Sequence, residues 1–127
     1  MTDAPRTLAI RALREAALEF SRNPEKALQM LSEAMERAET SGDGGAIALL
    51  AKPAGVLCEG MGNLEAALAF YERAIAAQPE DAWLWIACAQ LHKRLCHGRR
   101  ALVAFARALE LGELQGDEDA AEIARNA

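Results

Sequence analysis

Two segments of the chain repeat the same order of residue types 34 residues apart. Residues 67–75 and residues 101–109 both place a small, a large, an aromatic, a basic and a small side chain in matching positions. A period of this length is typical of helical hairpins that stack side by side, because one hairpin cannot bury its apolar face alone. The repeat therefore predicts a stacked helical architecture and directs the functional question toward binding.

The composition favours an all-α fold. Alanine, which loses no side-chain entropy in a helix, occurs 29 times among the 127 residues, and proline occurs four times. Hydrophobic residues make up 52% of the chain and the net charge is −5. These values are ordinary for one domain with its own core, so we expect a single domain over residues 1–127.

The start of the chain indicates where the protein works. Arg11, Arg14, Glu15 and Glu19 interrupt any apolar block, so neither a signal peptide nor a transmembrane span is predicted there. Three cysteines are too few for a disulfide framework and fit buried thiols in a reducing compartment. We therefore expect a cytoplasmic protein that does not enter a membrane.

Capping and proline signals divide the chain into three antiparallel helix hairpins and a short capping helix. The hairpins are predicted over about 5–41, 44–77 and 82–111, and the capping helix over about 117–126. Pro53 lies in the middle of the third helix, where it deletes one backbone hydrogen bond, so a kink or a split is expected there.

The first helix is predicted to run from about Pro5 to Ser21, with Thr2 or Asp3 as its cap. Apolar residues at spacings of three and four predict its buried stripe, which consists of Ile10, Leu13, Ala17 and Phe20.

The copies resemble the tetratricopeptide repeat, whose first helix carries a Trp, a Leu-Gly pair and a Tyr, and whose second helix carries an Ala, an aromatic residue, an Ala and a closing Pro. The second copy matches at Gly55, Gly62, Ala67, Tyr71, Ala74 and Pro79. The third copy matches at Trp85, Ala89, Ala101, Phe105 and Ala108. The departures are Ala51, Cys88, His92 and Cys96, and the first copy matches only in its second helix. The resemblance implies a right-handed superhelical array; the alternative is an irregular helical bundle with the same hairpins.

In this family the first helices of successive repeats line a concave groove that holds a peptide. The positions that match the groove are Lys52, Val56, Trp83, Ile86, Gln90, Lys93 and Arg94. Trp83 and Trp85 cannot share a helical face, so packing of Trp85 between repeats would turn Trp83 toward the groove. An exposed Trp83 beside Lys93 and Arg94 would be a binding hot spot. The alternative is that the neighbouring hairpin covers Trp83.

The charge changes sign along the chain. Residues 1–81 and 110–127 each sum to −5, whereas residues 82–109 contain five bases and no acid. Arg99 and Arg100 form a basic patch at the start of the sixth helix, where the helix dipole disfavours cations. Two explanations are open. Acidic residues between 110 and 122 could pair with these arginines, or the basic repeat could accept an acidic peptide or a carboxylate.

Cys88, His92 and Cys96 recur every four residues and would line one face of a straight helix, where they could supply three zinc ligands. The fourth ligand would have to be Cys58 or His97. Core packing is the simpler interpretation, because a thiol is itself a small buried hydrophobe. A cysteine nucleophile beside a histidine is the one catalytic arrangement left open. Phosphate loops, nucleophile elbows and paired His-Glu motifs do not occur, so we predict no enzyme, no cofactor and no metal.

The sequence thus predicts a non-enzymatic protein–protein interaction module, adaptor or chaperone-like, that binds a protein segment in its groove, with an acidic segment as one candidate. The runner-up is nucleic-acid binding through the basic third repeat, which the overall acidity and the few exposed aromatics disfavour. The third possibility is a structural oligomer, such as a homodimer, whose edge hairpins pair.

Overall fold

A computed structural model describes residues 4–127, and this part of the chain is all-helical, which confirms the all-α class. The helices are α1 (Pro5–Ala17), α2 (Pro24–Ser41), α3 (Gly44–Gly60), α4 (Leu64–Ala77), α5 (Ala82–Arg94), α6 (Gly98–Gln115) and α7 (Glu118–Arg125). Consecutive helices pack as the expected pairs, α1 with α2, α3 with α4 and α5 with α6, and α7 packs on α6.

Polar side chains set the starts of five helices. A side-chain oxygen of the residue before each helix accepts a hydrogen bond from a backbone N–H in the first turn. These N-caps are Asn23, Asp43, Asn63, Asp81 and Asp117. Such caps satisfy donors that have no partner inside the helix, which is why short polar residues could be recognised as helix starts from the sequence.

The first helix differs from its prediction. It ends at Ala17, because residues 18–22 form turns instead of a fourth helical turn. Its buried side chains are small, namely Ala9, Ala12 and Ala16, whereas Ile10 is exposed. The predicted stripe of Ile10, Leu13, Ala17 and Phe20 was therefore wrong, because α1 meets α2 and α3 through its small residues.

The predicted caps Thr2 and Asp3 lie outside the described residues; Ala4 precedes α1, and no side chain caps that helix. α3 is one continuous helix across Pro53, so the expected split does not occur. Proline removes a single hydrogen bond, and α3 packs on α4 with buried residues on both sides of Pro53, which holds the helix together.

Two later helices end at other residues than predicted. α5, predicted to reach about Cys96, ends at Arg94, and α6, predicted to end at Leu111, continues to Gln115. α6 ends where Gly116 adopts the left-handed conformation (φ 71°), a common helix stop.

The chain divides into two compact units, Met1–Gln78 and Pro79–Ala127. In the first unit, the aromatic residue of the repeat sits on a glycine of the facing helix. A Cβ atom at Gly55 would lie 2.8 Å from the ring of Tyr71, so only glycine fits without movement. The Tyr71 hydroxyl donates a hydrogen bond to Glu59 Oε1 at 2.9 Å. The glycine thus lets α3 and α4 approach while the buried phenol keeps a polar partner.

The second unit has one core shared by α5, α6 and α7. Its buried members are Ala82, Ile86, Ala89, Ala101, Ala104, Phe105, Ala108, Leu111, Ala120 and Ala124. Most are alanine, so the helices approach closely. At Gly112 of α6 a Cβ atom would lie 2.9 Å from the backbone nitrogen of Ala121 in α7. The capping helix therefore depends on a glycine at this position.

Candidate functional site

The outer face of α5 brings together several of the residues predicted to bind a partner. Trp83, Gln90 and Arg94 are exposed and follow one another at helical spacings of seven and four, so they share a face. Lys93 is exposed at its edge. Small Ala87 lies between Trp83 and Gln90 on this face. The α5 face therefore combines one large aromatic side chain, an amide and two cations.

Trp83 is fixed in place although it is 45% exposed. Its Nε1–H donates a hydrogen bond to Asp117 Oδ2 at 2.8 Å. Asp117 Oδ1 accepts from the backbone N–H of Ala120, so the same carboxylate caps α7 and holds the indole. The sequence reasoning assigned Asp117 only to the start of the last helix. The available signal was its position 34 residues after Trp83, the period of the repeat.

Ile86 does not belong to this face, contrary to its prediction as a groove residue. It is 4% exposed and lies in the core of the second unit with Phe105, Ala120 and Ala124. α7 covers the side of α5 on which Ile86 lies, because residues of both helices join one core. Position alone could not reveal this, since coverage by α7 is a tertiary contact.

The first unit carries the other two predicted groove residues. Lys52 and Val56 are both exposed on α3, one turn apart. Glu59, on the same face, is half-buried and accepts the Tyr71 hydroxyl. The α3 face therefore offers an aliphatic side chain beside a cation. The Glu59 carboxylate on this face already accepts a hydrogen bond from Tyr71.

The basic patch keeps its charges exposed. Arg99 and Arg100 are exposed and make no ion pair or hydrogen bond with residues 4–127. Of the acids expected to pair with them, Glu110 pairs with Arg107 at 3.1 Å and Glu113 with Arg125 at 4.0 Å. Of the two explanations, pairing with the acidic residues between 110 and 122 is thus wrong for residues 4–127, and Glu110 and Glu113 pair with other cations instead.

A known protein family matches part of the helical region that carries these faces. The tetratricopeptide repeat family model matches residues 54–91, from the second half of α3 through α4 into α5. This stretch of the chain is a TPR-like repeat. No curated protein matches its sequence significantly. Such a repeat suggests a protein–protein interaction module. No helix among residues 4–127 is long and apolar enough to span a lipid bilayer.

Cys88, His92 and Cys96 do not line one helix face. Cys88 and His92 are buried in α5, but Cys96 lies beyond its end, exposed and with φ 63°. His92 Nδ1 lies 3.3 Å from His97 Nδ1. Within the described residues, no three His, Cys, Asp or Glu side chains come together as a metal site would require. The geometry assumed for a zinc site, one straight helix through Cys96, is therefore wrong.

Folding displaces the pKa values of Cys58 and Asp43. Burial raises the pKa of the Cys58 thiol, which favours the protonated form and makes it a poor nucleophile. The Ala46 backbone N–H and the Arg6 guanidinium lower the pKa of Asp43, the N-cap of α3. Arg6 Nη2 lies 3.3 Å from Asp43 Oδ1, so α1 is tied to the start of α3. Both shifts follow from contacts made on folding.

Proposed function

We propose that the protein is an adaptor or chaperone-like binder that holds a segment of another protein against the outer face of α5. The observation that carries this proposal is the half-exposed indole of Trp83, held by Asp117. A large aromatic that is already ordered loses little side-chain entropy on binding, and such residues dominate the energy of protein interfaces.

The distribution of charge along α5 favours one orientation of the bound segment. Asp81 and Asp117 cap helices near Trp83, at the N-terminal end, whereas Lys93 and Arg94 stand at the C-terminal end. Trp83 and Arg94 are 11 residues apart, or about 16 Å along the helix axis. We therefore expect a ligand with an apolar anchor and an acidic group separated by about 16 Å, the length of roughly five extended residues.

Val56 and Lys52 on α3 provide a second aliphatic and cationic pair in the first unit. We propose that they contribute an additional contact. Their substitution should weaken binding less than loss of Trp83, because Val56 offers less apolar area than an indole.

The test is capture of partners from a cell lysate by the double variant Trp83→Ala, Lys93→Glu. We expect the captured proteins to disappear while helicity by circular dichroism is kept. The matched control is Leu18→Ala, Arg22→Glu, which removes an exposed aliphatic residue and a cation from the turn after α1. Equal capture by the wild type and the Trp83 variant would reject the α5 face.

The exposed arginines favour a second candidate, binding of nucleic acid at Arg99 and Arg100. The net charge of −5 disfavours it, as does the fact that Trp83 is the one large aromatic exposed among residues 4–127. RNA binding that weakens with salt and is lost in Arg99→Glu, Arg100→Glu would favour this candidate.

A further inference from the structure

The outer face of α6 has a cation near its start, exposed apolar side chains among residues 102–106, two carboxylates toward its end, and Leu114 beyond them. Seven exposed residues share this face: Arg99, Leu102, Val103, Ala106, Glu110, Glu113 and Leu114. Leu102 is 72% exposed, and Val103 and Leu114 are exposed to a similar degree. Leu68, at the position corresponding to Leu102 in the preceding copy, is only 8% exposed. The third copy thus leaves open a leucine position that the second copy buries.

The charges on this face are arranged for a second, antiparallel copy of the same face. Ala106 lies seven residues after Arg99 and seven before Glu113, and seven residues make about two helical turns. A two-fold axis through Ala106 therefore places Arg99 of each copy opposite Glu113 of the other. It also places the two small Ala106 side chains at the crossing point, where helices can approach closely. A parallel arrangement would place like charges together.

The start of α6 has neither a side-chain cap nor an acidic residue in its first turn. His97 precedes the helix and makes no side-chain capping bond, and Arg99 and Arg100 bring positive charge to the positive end of the helix dipole. A carboxylate from a second copy would compensate both. Glu113 pairs with Arg125 only at 4.0 Å between exposed groups, so it can also reach a second arginine.

We propose that the protein forms a two-fold homodimer through antiparallel packing of its α6 helices. This surface is separate from the α5 face, so either can fail without the other. α6 has 18 residues and is about 27 Å long. One helix pair of this length buries less than a standard interface of about 800 Å² per partner, so we expect a dissociation constant in the micromolar range.

The test is sedimentation equilibrium of the full chain over about 1 to 300 µM, a range that spans micromolar dissociation constants. The wild type should change from monomer to dimer. Arg99→Glu and Glu113→Arg should each weaken self-association about tenfold or more, because each places like charges opposite one another twice per dimer. Ala106→Glu should do the same, since it brings two carboxylates together at the two-fold axis. Arg22→Glu, a charge reversal in the turn after α1, is the matched control and should dimerise like the wild type.

Mixing provides the decisive experiment. When the single variants Arg99→Glu and Glu113→Arg are mixed, they should form a heterodimer at the concentrations at which the wild type dimerises. In this mixed dimer both contacts between residues 99 and 113 again join opposite charges. A wild type that stays monomeric at all concentrations would overturn the proposal. So would variants that dimerise as strongly as the wild type, or a mixture of the two variants that stays monomeric. Capture of an unrelated protein through Leu102 and Val103 by a monomeric wild type would overturn it as well.

Discussion

The two compact units tie their helices together at equivalent places with different chemistry. In Met1–Gln78, Asp43 caps α3 and receives Arg6 from α1. In Pro79–Ala127, Asp117 caps α7 and receives Trp83 from α5. Both aspartates join the start of one helix to the start of a later one. The first tie is an exposed ion pair that salt can screen, whereas the second orients an aromatic side chain. The aspartate contact in the first unit only joins two helices, whereas the corresponding contact in the second unit also orients a residue of a candidate binding face.

The largest expected effect concerns the glycine contact of the first unit. Gly55→Val should destabilise the protein by about 3 kcal/mol, because the added atoms meet the buried Tyr71 ring and neither helix can yield without losing packing. Thermal or urea unfolding measures the loss. Gly60→Val is the matched control, since a Cβ there meets nothing within 4 Å. Equal stability of the two variants would contradict the account of α3 and α4.

The corresponding glycine of the second unit should have a smaller and more local effect. Gly112→Ala forces α7 away from α6, because the new Cβ meets the backbone of Ala121, and this overpacking costs about 1 to 3 kcal/mol. The helix preference of alanine offsets up to about 1 kcal/mol. Hydrogen exchange should accelerate at Ala120, Ala121 and Ala124. Gly98→Ala, which meets nothing within 4 Å, should leave α7 protected.

Two substitutions of Asp117 distinguish its capping of α7 from its hydrogen bond to Trp83. Asp117→Ala removes both and should cost about 1 kcal/mol. Asp117→Asn keeps a capping oxygen but can turn an NH₂ group toward the indole, so it should loosen Trp83 at little cost to stability. Fluorescence in a Trp85→Phe background should shift to the red in both variants. An unchanged spectrum in Asp117→Asn would show that the hydrogen bond does not hold the indole.

The smallest effect is the pH dependence of the first tie. The pKa of Asp43 is lowered from its ordinary value of 3.8 by the Ala46 N–H and by Arg6. A carboxylate with a lowered folded-state pKa stabilises the protein above its unfolded pKa, and this stabilisation is lost as the pH falls through the folded value. The stability difference between the wild type and Asp43→Asn should therefore exist at neutral pH and vanish in acid. A difference that persists in acid would argue against this tie.

Local chemistry explains which parts of the structure could be predicted. A cap such as Asn63 or Asp81 acts on backbone groups two or three residues away, so the sequence contains the whole interaction. The starts of the capped helices could be predicted for this reason. The buried face of α1 was not, because large apolar residues suggested Ile10 whereas close helix contact selected Ala9, Ala12 and Ala16.

The candidate site shows the same division. Trp83, Gln90, Lys93 and Arg94 are exposed, and their role in binding stays a prediction. The burial of Ile86 could not be predicted, because it depends on where α7 packs.

The sequence by itself determined the helical class, the helix starts and the repeat frame, because each depends on residues close together in the chain or on a period visible along it. Only the tertiary structure decided that Asp117 holds Trp83 and that Arg99 and Arg100 stay unpaired within the described residues. These outcomes depend on which side chains from distant helices come within hydrogen-bonding distance. That distance is set by close packing at small residues such as Gly112, not by the residue order near either partner.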